Sequence, residues 1–293
     1  MFTIVLVCLE NFQEYILTNI AQLVKLGHNN TNIYVLTNDH LMPEFEPFAD
    51  MVTLVSVESL DDPFDFNNRS QLERQFRNGF WHHTSARLFV LHAFMQKFGV
   101  TNVIHIENDV LLYYNCDDTI GHALYNAQHL YLPFDTFERN IASIVYIPDG
   151  AIFGEILSHY DFAKNDMYNF SEIRKKTGLI RNFPIFVSEG DEIEERAFVS
   201  TGYDKFGGYI FDAAAIGQYV GGVDPRNTPG DTRGFVNETC VIKYADEGEI
   251  VWTTDDDNDA SHFRKPFLKI KSSNTKVPIF NLHIHSKNLH LYL

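Results

Sequence analysis

Cysteine is scarce in this 293-residue chain: Cys8, Cys116 and Cys240 are the only three, and they lie far apart. No CxxC pair exists to build a zinc site or a redox motif, and an odd, scattered set points to a reducing compartment. Basic charge is also short, with 23 Lys+Arg against 39 Asp+Glu and a formal net charge of −16. Such a balance repels a phosphate backbone and no Lys/Arg-rich stretch offsets it, so nucleic acid is not an expected partner. Long apolar runs are missing too. Met1 to Leu9 is apolar, but no basic region precedes it and Glu10 and Asn11 interrupt it. Neither a signal peptide nor a membrane span is therefore expected, and the reading is cytoplasmic. The Asn-x-Ser/Thr sequons at Asn29, Asn68, Asn169 and Asn237 are then chance matches. No Walker, GxSxG or HExxH sequence is present.

What is there is a chain of 45% hydrophobic residues, long enough to bury a core without disulfides. Met1 to Leu9 reads as a buried first strand. Ile16, Leu17, Ile20, Leu23 and Val24 then fall on one helical face that Gly27 ends, and strands follow at 32–36 and 52–57. Strand, helix, strand, strand is the opening of a parallel sheet with crossover helices, which places ligands at the carboxyl ends of its strands. A second helix is expected over 81–98, stopped by Gly99, and then a short central strand, Val103 to Ile106. Leu130 to Leu132 and Ile144 to Ile147 read as further strands. The charged stretch from about 162 to 196 reads as a solvated surface segment, or as a mobile excursion over the site. Glycines from Gly207 to Gly222 do not follow a strand as GxGxxG; they suggest close backbone packing near a pocket. The chain finishes on an alternation that puts Asn281, His283, His285 and Lys287 on one strand face. No clean linker divides it, so residues 1–293 are expected to form a single domain.

Two features carry chemistry. Glu107 and Asp109, one residue apart, directly follow the apolar strand 103–106, so they can turn together toward a divalent cation and the oxygens of a diphosphate. His283 and His285 add imidazoles, which complete an oxygen-rich site for Mn²⁺ better than for Mg²⁺, and Lys287 can meet a phosphate oxygen. The acidic run Asp255 to Asp259 fails the calcium-loop pattern, because Ala260 and Pro266 stand where glycine and glutamate are required; it reads as a solvated loop.

Ile104-His105-Ile106-Glu107-Asn108-Asp109-Val110, with Asn32 to Asp39 and Asn281 to Lys287 around it, resembles the GT-A class of nucleotide-sugar-dependent glycosyltransferases with a DxD-type motif. The resemblance implies a Rossmann-like α/β fold with a mixed, mainly parallel sheet flanked by helices. Residues 1–115 would be its nucleotide-binding half, and 116–293 its acceptor-binding half with the terminal metal and phosphate segment. It also implies a donor of the UDP- or GDP-sugar type and a glycan or glycoconjugate acceptor. Here the motif is Glu-Asn-Asp: Asp109 is the expected metal ligand with His283 or His285, while Glu107 acts through water or contacts the ribose, beside Asn108. Cys8, Leu9 and Glu10, with Thr37, Asn38 and Asp39, would flank the nucleoside. Arg87, on the upstream helix, would pair with a motif carboxylate or meet a phosphate. Glu238 and Asp212 are the candidates for an acceptor-side base or for holding sugar hydroxyls. Asp224 to Asn227 and Asp231 sit in a Gly/Pro-rich loop read as a turn that could shape the pocket. Two rivals remain: a sugar nucleotidyltransferase, disfavoured because Leu9-Glu10-Asn11-Phe12 is no Gly-rich basic loop, and a non-catalytic carbohydrate-binding protein, suggested by 14 Tyr and 25 Phe.

Overall fold

The computed structural model describes residues 1–187, 192–254 and 264–293. Asp255 to Asp259 and Glu189 lie outside the described residues. Strand β1 (Thr3–Cys8) leads to helix α1 (Tyr15–Lys25), β2 (Ile33–Thr37), β3 (Thr53–Ser56), α2 (Phe80–Phe98), β4 (Val103–Ile106) and β5 (Val110–Leu112). Next come β6 (Leu130–Pro133), β7 (Ile144–Ile147), α3 (Gly150–Ser158), α4 (Asp166–Thr177), β8 (Ile180–Phe183), α5 (Glu194–Ser200) and α6 (Ile216–Gly221). Strands β9 (Gly248–Thr254), β10 (Arg264–Ile270), β11 (Lys276–Pro278) and β12 (Asn281–His283) follow.

Seven strands form the main sheet in the order β3-β2-β1-β4-β7-β6-β8. β1 is parallel to β2 and β4, and β2 to β3, whereas β7 runs antiparallel to β4 and β6. The two-residue period of β1 explains its burial on both faces. Ile4, Leu6 and Cys8 pack with Ile16, Ile20 and Leu23 of α1, while Val5 and Val7 pack with Leu88, Leu91 and Met95 of α2. Each such side chain contributes roughly 1.5–3 kcal/mol when fully buried. A third cluster joins β5 and β12 to the three-stranded sheet β11-β10-β9. No helix among the described residues is long and apolar enough to cross a membrane. All three cysteines are free and buried.

Two expectations need correction. Among its described residues, the polar stretch 162–196 is built into the fold: α4 buries Phe170 and Ile173, and β8 pairs in parallel with β6 at the sheet edge. Lys175 and Lys176 sit on the exposed face of α4, while Phe170 and Ile173, three residues apart, turn inward and Asp166 is buried at its start. The terminal alternation is also not one strand face. β12 stops at His283, and the chain turns so that Lys287 N donates to Ile284 O at 3.0 Å, with Lys287 at φ +64°.

Candidate functional site

β1 connects through α1 to β2 on one side, whereas the chain returns through α2 to place β4 on the other side of β1. This reversal makes the carboxyl ends of β1 and β4 the topological switch point, where a crevice opens. Glu107 begins one residue after β4, so the Glu-Asn-Asp motif falls at that point. Val110 N donates to Glu107 O at 3.0 Å and closes a tight turn. Asn108 pins the turn to β1, donating through Nδ2 to Val7 O at 2.9 Å and to Gln13 Oε1 at 2.6 Å. Antiparallel pairing of β12 with β5 sets His283 opposite Val110, beside Asp109.

Register thus brings together groups 174 or more positions apart in the chain. His283 Nε2 lies 3.2 Å from Glu107 Oε2 and 3.2 Å from Asp109 Oδ2. Glu107, Asp109 and His283 form a cluster whose ligand atoms all lie within 4.8 Å of one another. Lys287 is ion-paired with Asp109, and Arg87 with Glu107. Burial works against the charge of Asp109, yet His283 and Lys287 hold its carboxyl well below the usual range. His283 is likewise desolvated, but Asp109 raises it above the ordinary histidine value. His285 lies against His283 with ring centroids 4.1 Å apart and the rings tilted by 49°, and its Nδ1 faces Gln218 Nε2 at 3.2 Å. The structure therefore brings His283, and not His285, to the carboxylates, and burial keeps His285 far below the usual histidine range.

This cluster lies in the wall of a cleft of about 850 Å³. Arg87 is buried at its floor, where Nη2 donates to Asp166 Oδ2 at 3.0 Å and to Ala142 O at 3.2 Å. Burial pushes Asp166 up to about 6 against the pull of Arg87. Asp166 was not singled out by sequence; it opens α4 in the stretch read as surface, and its partner stands 79 residues earlier. Asp224, Arg226 and Asn227 also line the cleft, so that part of the loop read as a turn does shape the pocket, whereas Asp231 does not line it. Arg226 Nη2 donates to Asp224 Oδ2 at 2.7 Å, and Arg77 reaches across to bond Asn227. Tyr15, Phe76, Phe80 and Trp81 add aromatic surface that sequence alone did not mark.

The residues expected to flank a nucleoside divide. Leu9, Glu10 and Asn38 line an adjoining recess of about 610 Å³, which shares Leu9, Asn11, Asn78 and His83 with the cleft. Asn38 holds that corner together, accepting from Glu10 N at 2.7 Å and donating to Glu58 Oε1 at 2.8 Å. Cys8 and Thr37 are buried beneath it, with Thr37 Oγ1 donating to Cys8 O at 2.8 Å. Asp39 is exposed, with its backbone N donating to Glu58 at 3.1 Å.

Neither acceptor-side candidate lines the cleft. Glu238 has an 85% exposed side chain, 3.6 Å from Lys243. Asp212 is fully buried and saturated: Oδ1 accepts from Ala215 N and Ile216 N at 2.9 Å each, and Oδ2 from Gly217 N at 2.8 Å and His283 N at 2.9 Å. It ties the start of α6 to β12, directly behind the imidazole of His283. Asp212→Asn leaves N–H groups facing an amide nitrogen, so it is expected to lower stability by at least about 2 kcal/mol in urea unfolding. An unchanged midpoint with lost turnover would instead mark Asp212 as a proton acceptor.

No family model and no curated protein matches the chain. Among solved structures, apo mouse xyloside xylosyltransferase 1 is similar over 62% of this chain and 85% of its own, at 8% identity and a TM-score of 0.44. The galactosyltransferase LgtC in complex with donor and acceptor sugar analogs is similar over 62% and 73%, at 13% identity and a TM-score of 0.37. A cytidylyltransferase from Leptospira borgpetersenii is similar over 69% and 82%, at 11% identity and a TM-score of 0.41. With its mixed, mainly parallel seven-stranded sheet, its flanking helices and a crevice where the strand order reverses, the chain has a doubly wound, Rossmann-like α/β fold.

Proposed function

We propose that this chain is a metal-dependent glycosyltransferase that moves a sugar from a nucleotide-diphosphate sugar of the UDP or GDP type to a hydroxyl of a glycan acceptor. The single observation that carries the reading is the meeting of Glu107, Asp109 and His283 at the switch point, in the wall of a cleft large enough for such a donor. The donor set suits a divalent ion. Ligand atoms around a six-coordinate cation with bonds of about 2.1–2.2 Å lie about 3 Å apart, and His283 Nε2 stands 3.2 Å from an oxygen of each carboxylate. Two carboxylates with one imidazole favour Mn²⁺ over Mg²⁺.

When bound, the ion supplies positive charge against the diphosphate as the bond to the sugar breaks. The chain's own residues do the rest. Arg87 holds Glu107 in place from below, anchored by Asp166. The Lys287 ammonium, beside Asp109, is positioned to transfer its hydrogen bond to a phosphate oxygen. The nucleoside fits the recess bounded by Leu9, Glu10 and Asn38, the aromatic rings of Tyr15 and Trp81 offer surface to a sugar, and residues of both 1–115 and 116–293 line the cleft of a single domain.

Incubation with UDP- and GDP-sugars tests this. Slow hydrolysis of at least one donor is expected with Mn²⁺ and none after chelation. Saccharide binding that needs neither metal nor nucleotide would support a carbohydrate-binding protein instead. Formation of a sugar nucleotide from a nucleoside triphosphate and a sugar phosphate would support a nucleotidyltransferase.

A further inference from the structure

Ala214 lines the cleft in a left-handed conformation, φ +57°. Asp65, Asn78, Asn102 and Asn274 are left-handed as well, where Asp and Asn tolerate that region through local hydrogen bonding by their side chains; Glu10, Arg77 and Lys287 share it without that help, and they too line the cleft or its adjoining recess. Alanine has no such compensation, and glycine is the residue that adopts φ > 0 without a Cβ penalty. The turn is not free to relax. Asp212 Oδ1 accepts from Ala215 N and Ile216 N at 2.9 Å each on one side, and Asn237 Nδ2 donates to Ala214 O at 3.4 Å on the other. A strained methyl is therefore kept at a clamped position in the cleft wall. Strain kept at such a place points to a role there.

An independent observation lies four positions on. Gln218 lines the same cleft, and while its Nε2 faces His285 Nδ1 at 3.2 Å, its Oε1 is buried with no hydrogen-bond partner. A buried carbonyl oxygen without a donor costs stability until a donor reaches it. A sugar hydroxyl is such a donor. One methyl that limits size and one acceptor that waits for an O–H are the two elements by which a wall separates closely related sugars.

Building on the glycosyltransferase reading, we propose that Ala214 and Gln218 select the donor sugar: the Ala214 methyl excludes donors that carry a larger ring substituent, and Gln218 Oε1 accepts a hydrogen bond from a hydroxyl of the donor that is used. The probes are UDP-xylose, UDP-glucose and UDP-N-acetylglucosamine, which differ by one substituent at a time, with GDP-rhamnose and GDP-mannose as a second series. Hydrolysis with Mn²⁺ is measured for the wild type, Ala214→Gly and Gln218→Leu. Ala214→Gly is expected to unfold roughly 2 °C higher, because glycine removes the strain. It should also raise kcat/KM for the next larger donor, relative to the preferred one, by about tenfold or more. Gln218→Leu is expected to lower kcat/KM about tenfold or more for the preferred donor, and less for an analog lacking the hydroxyl in question. A raised melting temperature with unchanged donor ratios would overturn the role of Ala214, and an equal loss for the preferred donor and for each of its deoxy analogs would overturn that of Gln218. Wild-type protein that hydrolyses no donor would overturn the transferase reading itself, a result distinct from an active enzyme whose ratios do not move.

Discussion

Asp109→Ala is expected to abolish Mn²⁺-dependent binding of a nucleoside diphosphate. In calorimetry the wild type should bind UDP or GDP with Mn²⁺ and lose that binding on chelation, whereas the variant should show no metal-dependent heat. Removing an outer partner of a metal ligand already costs about 10–100-fold in affinity, and removing a ligand costs more. Asp109 is also the group that faces both His283 and Lys287. Its loss leaves Lys287 without its carboxylate and His283 with Glu107 alone, and breaking a buried pair in this way costs about 3–5 kcal/mol. The cost here is lower, because the Lys287 side chain is 25% exposed and water screens it. Asp109→Asn separates the two effects. An amide oxygen still accepts from Lys287, so this variant should fold with a near-normal melting temperature and yet bind the metal weakly. Undiminished Mn²⁺-dependent binding in both variants would sink the metal assignment.

Gly217→Ala is expected to damage the same site from behind, without removing a charged group. A Cβ at position 217 would sit 2.1 Å from His283 O, 2.7 Å from His283 C and 2.8 Å from Asp212 Oδ2. Two of these are backbone atoms of β12 and cannot swing away as the end of a flexible side chain would. Either α6 or β12 must move, at a cost of about 1–3 kcal/mol or more. Movement of β12 carries His283 away from Glu107 and Asp109. The expected result is a melting temperature lower by several degrees, together with a Mn²⁺ affinity weakened in the folded fraction. An ordinary helix alanine would be neutral or stabilising, so unchanged stability would show that α6 does not approach β12 this closely.

Much of the fold was legible because its signals are local. The apolar runs of β1, β2 and β4 and the helical stripe of α1 follow from side-chain period alone, and their burial agrees. The glycines near position 217 were legible as a sign of close packing beside a pocket, and Gly217 against His283 is that contact. The stretch 162–196 misled because its charge count outweighed two inward-facing residues, Phe170 and Ile173. Asp166 gave no signal, since an aspartate after Asn165 has the sequence character of any helix start.

The candidate site divides in the same way. A carboxylate pair placed after a buried strand is a sequence fact, because β4 fixes where Glu107 and Asp109 emerge. That His283 and not His285 faces them was decided by the antiparallel register of β12 on β5, a contact between segments some 170 residues apart that no local pattern encodes. Tertiary structure likewise placed Asp212 behind His283, where four backbone N–H groups converge on its carboxylate, and left Glu238 in solvent. Sequence by itself determined the burial of β1, β2, β4 and α1 and which residue types could bind a metal or a sugar nucleotide, since these follow from local side-chain pattern and chemistry. Which of those groups share one cleft was settled only by long-range strand pairing, because distance in space is set by register and not by position along the chain.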